Sequence, residues 1–101
     1  MEQIERIKTM ERHLEQASKA VTRFSEALDA YVEAQPSIRE LDNYLGSDLW
    51  KKDLAADEQG LLPHDLKRGV LSEDAIWNLL DDYRALNFRL RNRVTEILGE
   101  P

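Results

Sequence analysis

An all-α fold is predicted by three features of this 101-residue chain. Apolar residues recur in heptads over four repeats from Ile7. A second apolar stripe recurs at steps of three and four after Ser72. Three of the four glycines and two of the three prolines lie between the stripes, and no glycine or proline precedes Pro36. The expected architecture is two long amphipathic helices packed antiparallel, with two short helices and an apolar loop between them, in one domain of ordinary size.

The first helix is expected over residues 2–34, about 48 Å at 1.5 Å per residue. Counting heptads from Ile7, the a positions are Ile7, Leu14, Val21 and Leu28, and the d positions are Met10, Ala17, Phe24 and Tyr31. Ile4 and Val32 widen the stripe at its two ends, and Ala20, Ala27 and Ala34 extend it along the other side. A stripe wider than a and d alone suits a helical bundle better than a bare coiled coil. Glu2–Arg6 and Glu15–Lys19 stand at i,i+4 on the opposite face, in the favourable order.

Pro36 is expected to end this helix, because a residue before proline avoids the α region. A short helix over 37–45 would restart there, carrying Ile38, Leu41, Tyr44 and Leu45, with Gly46 as its stop. Ser47 and Asp48 supply an N-cap for a second short helix over 48–58, closed by Gly60. Residues 59–72 read as a loop, yet five of the thirteen residues from Gly60 are Leu or Val, so it should be pinned to the core. A turn is expected around Pro63–Lys67, with Gly69 at positive φ. Ser72 then caps the last helix, 73–98, with Glu73 and Asp74 in its first turn and Gly99 and Pro101 as stops.

The antiparallel pairing would set Glu2, Glu5, Glu11 and Glu15 near Arg93, Arg91, Arg89 and Arg84. That would neutralise the chain's one basic stretch, Arg84–Arg93, which holds four arginines and no acid. Those arginines also read as complements to the C-terminal end of the helix dipole.

The stretch LGSDLWKKDLAADEQGLLPHDLKRGVLSEDA, from Leu45 to Ala75, together with the opening MEQIERI, resembles the bacterial family described as domain of unknown function 4298. The resemblance is carried by Gly46-Ser47 followed by Trp50, by Asp57-Glu58-Gln59-Gly60, and by the run from Leu66 to Asp74. It implies a small, cytoplasmic, helical bacterial protein, and brings no activity, substrate or catalytic residue with it.

Composition narrows the function classes. With 42% hydrophobic and 34% charged residues the chain is neither membrane-spanning nor compositionally disordered. The opening MEQIERIKTMERH lacks the apolar core of a signal peptide, so the cytoplasm is the expected location. A net charge of −6 argues against nucleic acid as a partner, since a non-specific binder needs a cationic surface. The acidic polar face of the first helix argues against a membrane surface. Without cysteine there is no thiol catalysis, disulfide or Cys-bound zinc.

No catalytic constellation is found. His13 and His64 have no metal-ligand partners at suitable spacing, and Asp53, Asp57, Glu58 and Asp65 do not match a calcium loop, so no metal or cofactor is expected. No serine or threonine stands in a nucleophile motif, and no glycine-rich phosphate loop exists. Two speculative sites remain. Asp57, Asp65, Lys67 and Arg68 in the loop 57–74 could bind a ligand or partner, as in a small enzyme or binding protein; alternatively Arg68 and Lys67 pair with Asp57 or Asp65 to lock the chain crossing. Trp50, Trp77 and Phe88 could form an interface if exposed, or belong to the core. The expectation is a non-enzymatic helical interaction module whose partner is an unidentified protein or a second copy in a homodimer.

Overall fold

The computed structural model describes residues 2–99, apart from the side chain of Glu73. Pro101, expected as a stop, and the Glu73 side chain, expected at a helix start, lie outside the described residues. Three α-helices follow one another: α1, Glu2–Tyr44; α2, Asp48–Glu58; and α3, Glu73–Leu98. A single 3-10 turn, Gly69–Leu71, precedes α3, and no strand occurs among the described residues. The fold is all-α. Internal contacts divide the chain into two units, Met1–Pro36 and Ser37–Pro101.

In the first unit α1 runs from Glu2 with Glu2 and Glu5 in its first turn, where carboxylates complement the helix dipole. Lys19 Nζ donates to Glu15 Oε1 at 2.9 Å, the expected i,i+4 pair, and Lys8 approaches Glu5 at 3.9 Å. Such exposed pairs contribute about 0.3–0.5 kcal/mol each, so they shape α1 without anchoring it. The apolar stripe is a different matter. No residue of α1 is buried. Leu14 is 61% exposed and Val21 70%, and the other large a and d residues up to Leu28 are exposed as well.

Pro36 does not end α1. The short helix expected at 37–45 is the last part of α1, which continues through the proline to Tyr44. A proline here leaves the Val32 carbonyl without its helical donor, a cost of ~3 kcal/mol in a helix interior. Gln35 lends the backbone support just before it, Nε2 donating to the Tyr31 carbonyl at 3.0 Å. Beyond it Ile38, Leu41, Tyr44 and Leu45 are half-buried in the second unit. That burial holds the turns after Pro36 helical, because the bias of a pre-proline residue is weaker than tertiary packing.

The second unit is organised by caps and one tryptophan. Gly46, at φ +77°, reverses the chain after α1. Ser47 Oγ accepts the Trp50 backbone N–H at 3.2 Å and so starts α2. The Trp50 side chain is buried, and its Nε1 donates to the Val70 carbonyl at 2.9 Å. At the end of α2, Leu61 N–H donates to the Ala56 carbonyl and Gly60 N–H to Asp57, with Gly60 at φ +70°. This is the paired closure that only a left-handed residue permits, and it removes two orphan carbonyls.

The expected turn at Pro63–Lys67 is present, Leu66 N–H donating to the Pro63 carbonyl at 3.2 Å. Gly69, expected at positive φ, is instead the first residue of the 3-10 turn. The turn needs right-handed dihedrals, so the chain changes direction there by tightening and not by inversion. Ser72 Oγ donates to the Gly69 carbonyl at 2.9 Å and accepts the Ala75 N–H at 3.3 Å, binding the turn to the start of α3. Leu71, Ile76 and Leu80 join Trp50 as the buried apolar residues, Ile76 being only 2% exposed. The apolar loop meets the core at Leu71, with Leu62 half-buried, while Leu61, Leu66 and Val70 stay exposed, so its composition overstated how far it is pinned.

Two substitutions test this account. Trp50→Phe keeps an aromatic ring but strands the Val70 carbonyl. It should lower the unfolding free energy in urea by about 1–2 kcal/mol, whereas the exposed Trp77→Phe should stay within about 0.5 kcal/mol. Pro36→Ala should raise the helical melting temperature seen by circular dichroism, because it restores a donor inside a continuous helix.

Candidate functional site

The loop between α2 and α3 gathers the polar residues first. Arg68 Nη1 donates to Asp57 Oδ1 at 2.6 Å, while Nη2 donates to the carbonyls of Pro63 at 3.1 Å and His64 at 3.3 Å. One guanidinium therefore ties the end of α2 to the first two carbonyls of the Pro63 turn. Its side chain is about one-third exposed and that of Asp57 about one-quarter, 33% and 24%. Partial burial strengthens a charge-assisted bond, and the remaining donors are directed at backbone that no regular element satisfies. Of the four residues singled out in this loop, the fold brings Asp57 and Arg68 together. Asp65 and Lys67 are exposed outside that pair.

A second polar contact was not signalled by the sequence. Tyr44, at the end of α1, donates its hydroxyl to Asp53 Oδ2 at 2.6 Å across the Gly46 reversal. The hydrogen bond to Asp53, with burial and the carboxylate's charge adding to it, raises the phenol from 10.0 to about 12. Nothing in a nine-residue separation marks this pair, because it depends on how α2 turns back after Gly46. The two residues line a shallow cleft of ≈ 200 Å³ with Leu62, Leu66 and Arg68. An apolar cleft of ≈ 320 Å³ lies between Leu41, Val70, Ile76 and Leu79. Both are at or below the lower end of the ~300–1,000 Å³ range typical of small-molecule sites.

The aromatic candidates separate. Trp50 belongs to the core and is removed from any exposed face. Trp77 and Phe88 are 57% and 64% exposed, eleven residues apart on α3 and so on nearly the same face. The arginines of 84–93 are exposed too, and Arg93 Nη1 pairs with Glu96 Oε2 at 2.7 Å. The last turn of α3 holds no basic residue, so their reading as complements to the helix end is corrected. The dipole acts only within a terminal turn, and these arginines stop short of it.

The stripe of α1 is a long exposed apolar feature, and α3 also leaves Leu79, Leu86, Leu90, Val94 and Ile97 exposed. Ile4, Ile7, Met10, Leu14, Val21, Phe24, Leu28 and Val32 are all exposed, along one side of a helix. Their spacing explains why they are aligned, and nothing within residues 1–36 could cover them. Among the described residues no three His, Cys, Asp or Glu side chains converge as a metal site. No helix among them is long and apolar enough to cross a membrane.

Residues 7–92 match the family described as domain of unknown function DUF4298. The chain belongs to the DUF4298 family. The match begins at the first a position of the heptads and ends near the last arginines of α3. It thus includes the α1 stripe from Ile7 onward, the Asp57–Arg68 pair and the Trp77/Phe88 face. No curated protein and no solved structure matches the chain.

A double-mutant cycle of Asp57→Ala and Arg68→Ala on urea stability should give a coupling of about 1 kcal/mol or more, as for a partly buried pair. A coupling near zero would show that the pair does not lock the loop. The Tyr44 bond has its own signature. Its contribution is complete below pH 10 and is lost as pH rises toward 12, because the folded phenol holds its proton longer than the unfolded one. Absorbance titration should show a late tyrosinate step that Asp53→Asn moves back toward pH 10.

Proposed function

We propose that this DUF4298 protein is a non-enzymatic helical interaction module, and that the apolar stripe of α1 is the face it offers to another protein. The observation that carries the reading is the exposure of eight large apolar side chains in continuous register between Ile4 and Val32. Soluble monomers rarely leave a contiguous apolar patch of that extent open, and such patches mark interaction sites. Burying a large apolar side chain contributes about 1.5–3 kcal/mol, so covering even half of this stripe would outweigh the cost of ordering a helix pair. An amphipathic helix with anchors at i, i+3, i+4 and i+7 meets a partner helix or groove in the way helical recognition requires.

The polar loop supports this reading by being occupied within the chain. Arg68 spends its donors on Asp57 and two carbonyls, which is the work of a structural clasp. Cytoplasmic location and a coiled-coil mode of contact are part of the same proposal.

The experiment is a stability comparison at high dilution. Leu14→Ser with Phe24→Ser should leave the unfolding of the 37–99 unit, followed through buried Trp50, within about 0.5 kcal/mol of wild type. A loss of 2 kcal/mol or more, independent of concentration, would show that the stripe belongs to the chain's own core, as in the antiparallel packing with α3 expected from sequence, and would end the reading.

A further inference from the structure

We infer that the Trp77/Phe88 face of α3 is a docking surface for a second copy of this chain, the two helices running antiparallel about a two-fold axis that passes between residues 82 and 83. This surface shares no residue with the α1 stripe, and the inference stands without the reading of that stripe.

Spacing defines the face. Asp74, Trp77, Asp81, Arg84, Phe88 and Arg91 follow one another at steps of three and four, which places all six within about 50° of one line along α3. Every one of them is exposed, on a different side of the helix from that on which Ile76 and Leu80 are buried. Among the described residues none of the four charges has an ion-pair partner. Arg93, the arginine of this stretch that is paired, stands on another side of the helix.

Such spacing by itself admits several antiparallel registers, and the residue types choose one. With the axis between 82 and 83, Trp77 meets Phe88, Asp81 meets Arg84 and Asp74 meets Arg91 of the other copy, each contact occurring twice. Aromatic rests on aromatic and every acid faces a base. Sliding one helix by a heptad sets an aromatic against a charge, Trp77 against Asp81 in one direction and Phe88 against Arg84 in the other. An in-register parallel pair lays each of the four charges on its own copy, so all of those contacts become repulsive. Charges facing each other across an interface fix direction and exclude wrong pairings more than they add affinity, and the stacked aromatics supply the burial. One helix face makes a small interface, so the association belongs to the reversible class.

Charge exchange at the centre of the pair tests this on the full chain. Light scattering over a tenfold range of concentration should show the mass rising toward twice the 11.7 kDa of one chain. Asp81→Arg alone and Arg84→Asp alone each set like charges against each other, and each should raise the dissociation constant about tenfold or more. An equimolar mixture of the two variants should associate as wild type does, because one chain then presents two arginines to two aspartates of the other. The double variant, Asp81→Arg with Arg84→Asp, should do the same. Rescue in the mixture arises only between chains, so a disturbed fold in one variant does not imitate it. A monomer at every concentration would overturn the inference. A dimer that the single substitutions leave unchanged would overturn it too, since association would then run through another surface. Weakening by the single substitutions without rescue in the mixture would count against it equally.

Discussion

The indole of Trp50 is the point on which the 37–99 unit depends. It is large enough to give a short helix a buried anchor, and its N–H has one acceptor, the Val70 carbonyl. A tryptophan can be buried at little cost only when that donor is satisfied. The bond fixes how far α2 stands from the 3-10 turn. The turn in turn sets where Ser72 begins α3 and presents Ile76 and Leu80 to the same core. The Arg68 clasp closes the other end of the loop, holding the Asp57 end of α2 against the Pro63 turn. Hydrophobic burial supplies the favourable energy here, and the two polar ties decide the geometry in which it is collected.

Residues 2–36 follow a different economy. Their helix is supported by heptad-spaced apolar residues that find no cover within the unit and by ion pairs that are weak in water. Helix formation in such a segment is favoured by length, since each added residue beyond the nucleus brings a hydrogen bond. Its specificity comes from what it packs against. Pro36 marks the boundary between the two regimes, and the chain crosses it without losing the helix because Ile38, Leu41 and Leu45 have burial on the far side.

The proposed interaction role rests on the exposed apolar face of residues 4–32. The second unit buries Trp50, Leu71, Ile76 and Leu80 but leaves Trp77, Phe88 and Ile97 exposed, and the two clefts described in it are small, while the first holds a long exposed apolar face. Membership of the DUF4298 family brings no chemistry with it, and of the four candidate loop residues Asp57 and Arg68 are engaged with each other.

Much of the fold was legible in the residues. The bounds of α2 and α3, the stops at Gly46, Gly60 and Gly99 and the caps at Ser47 and Ser72 all follow from local rules. These rules act through neighbouring backbone groups and need no distant partner. The Asp57–Arg68 pair was one of several pairings the loop allowed. The choice among them, the continuation of α1 past Pro36, the right-handed dihedrals of Gly69, the Tyr44–Asp53 bond and the burial of Trp50 beside exposed Trp77 were set by tertiary structure. Each depends on which surfaces meet after the chain reverses at Gly46 and Gly60. Periodicity determines which residues share a face of a helix; only packing determines which face is covered, because burial is a property of two surfaces and a sequence pattern describes one.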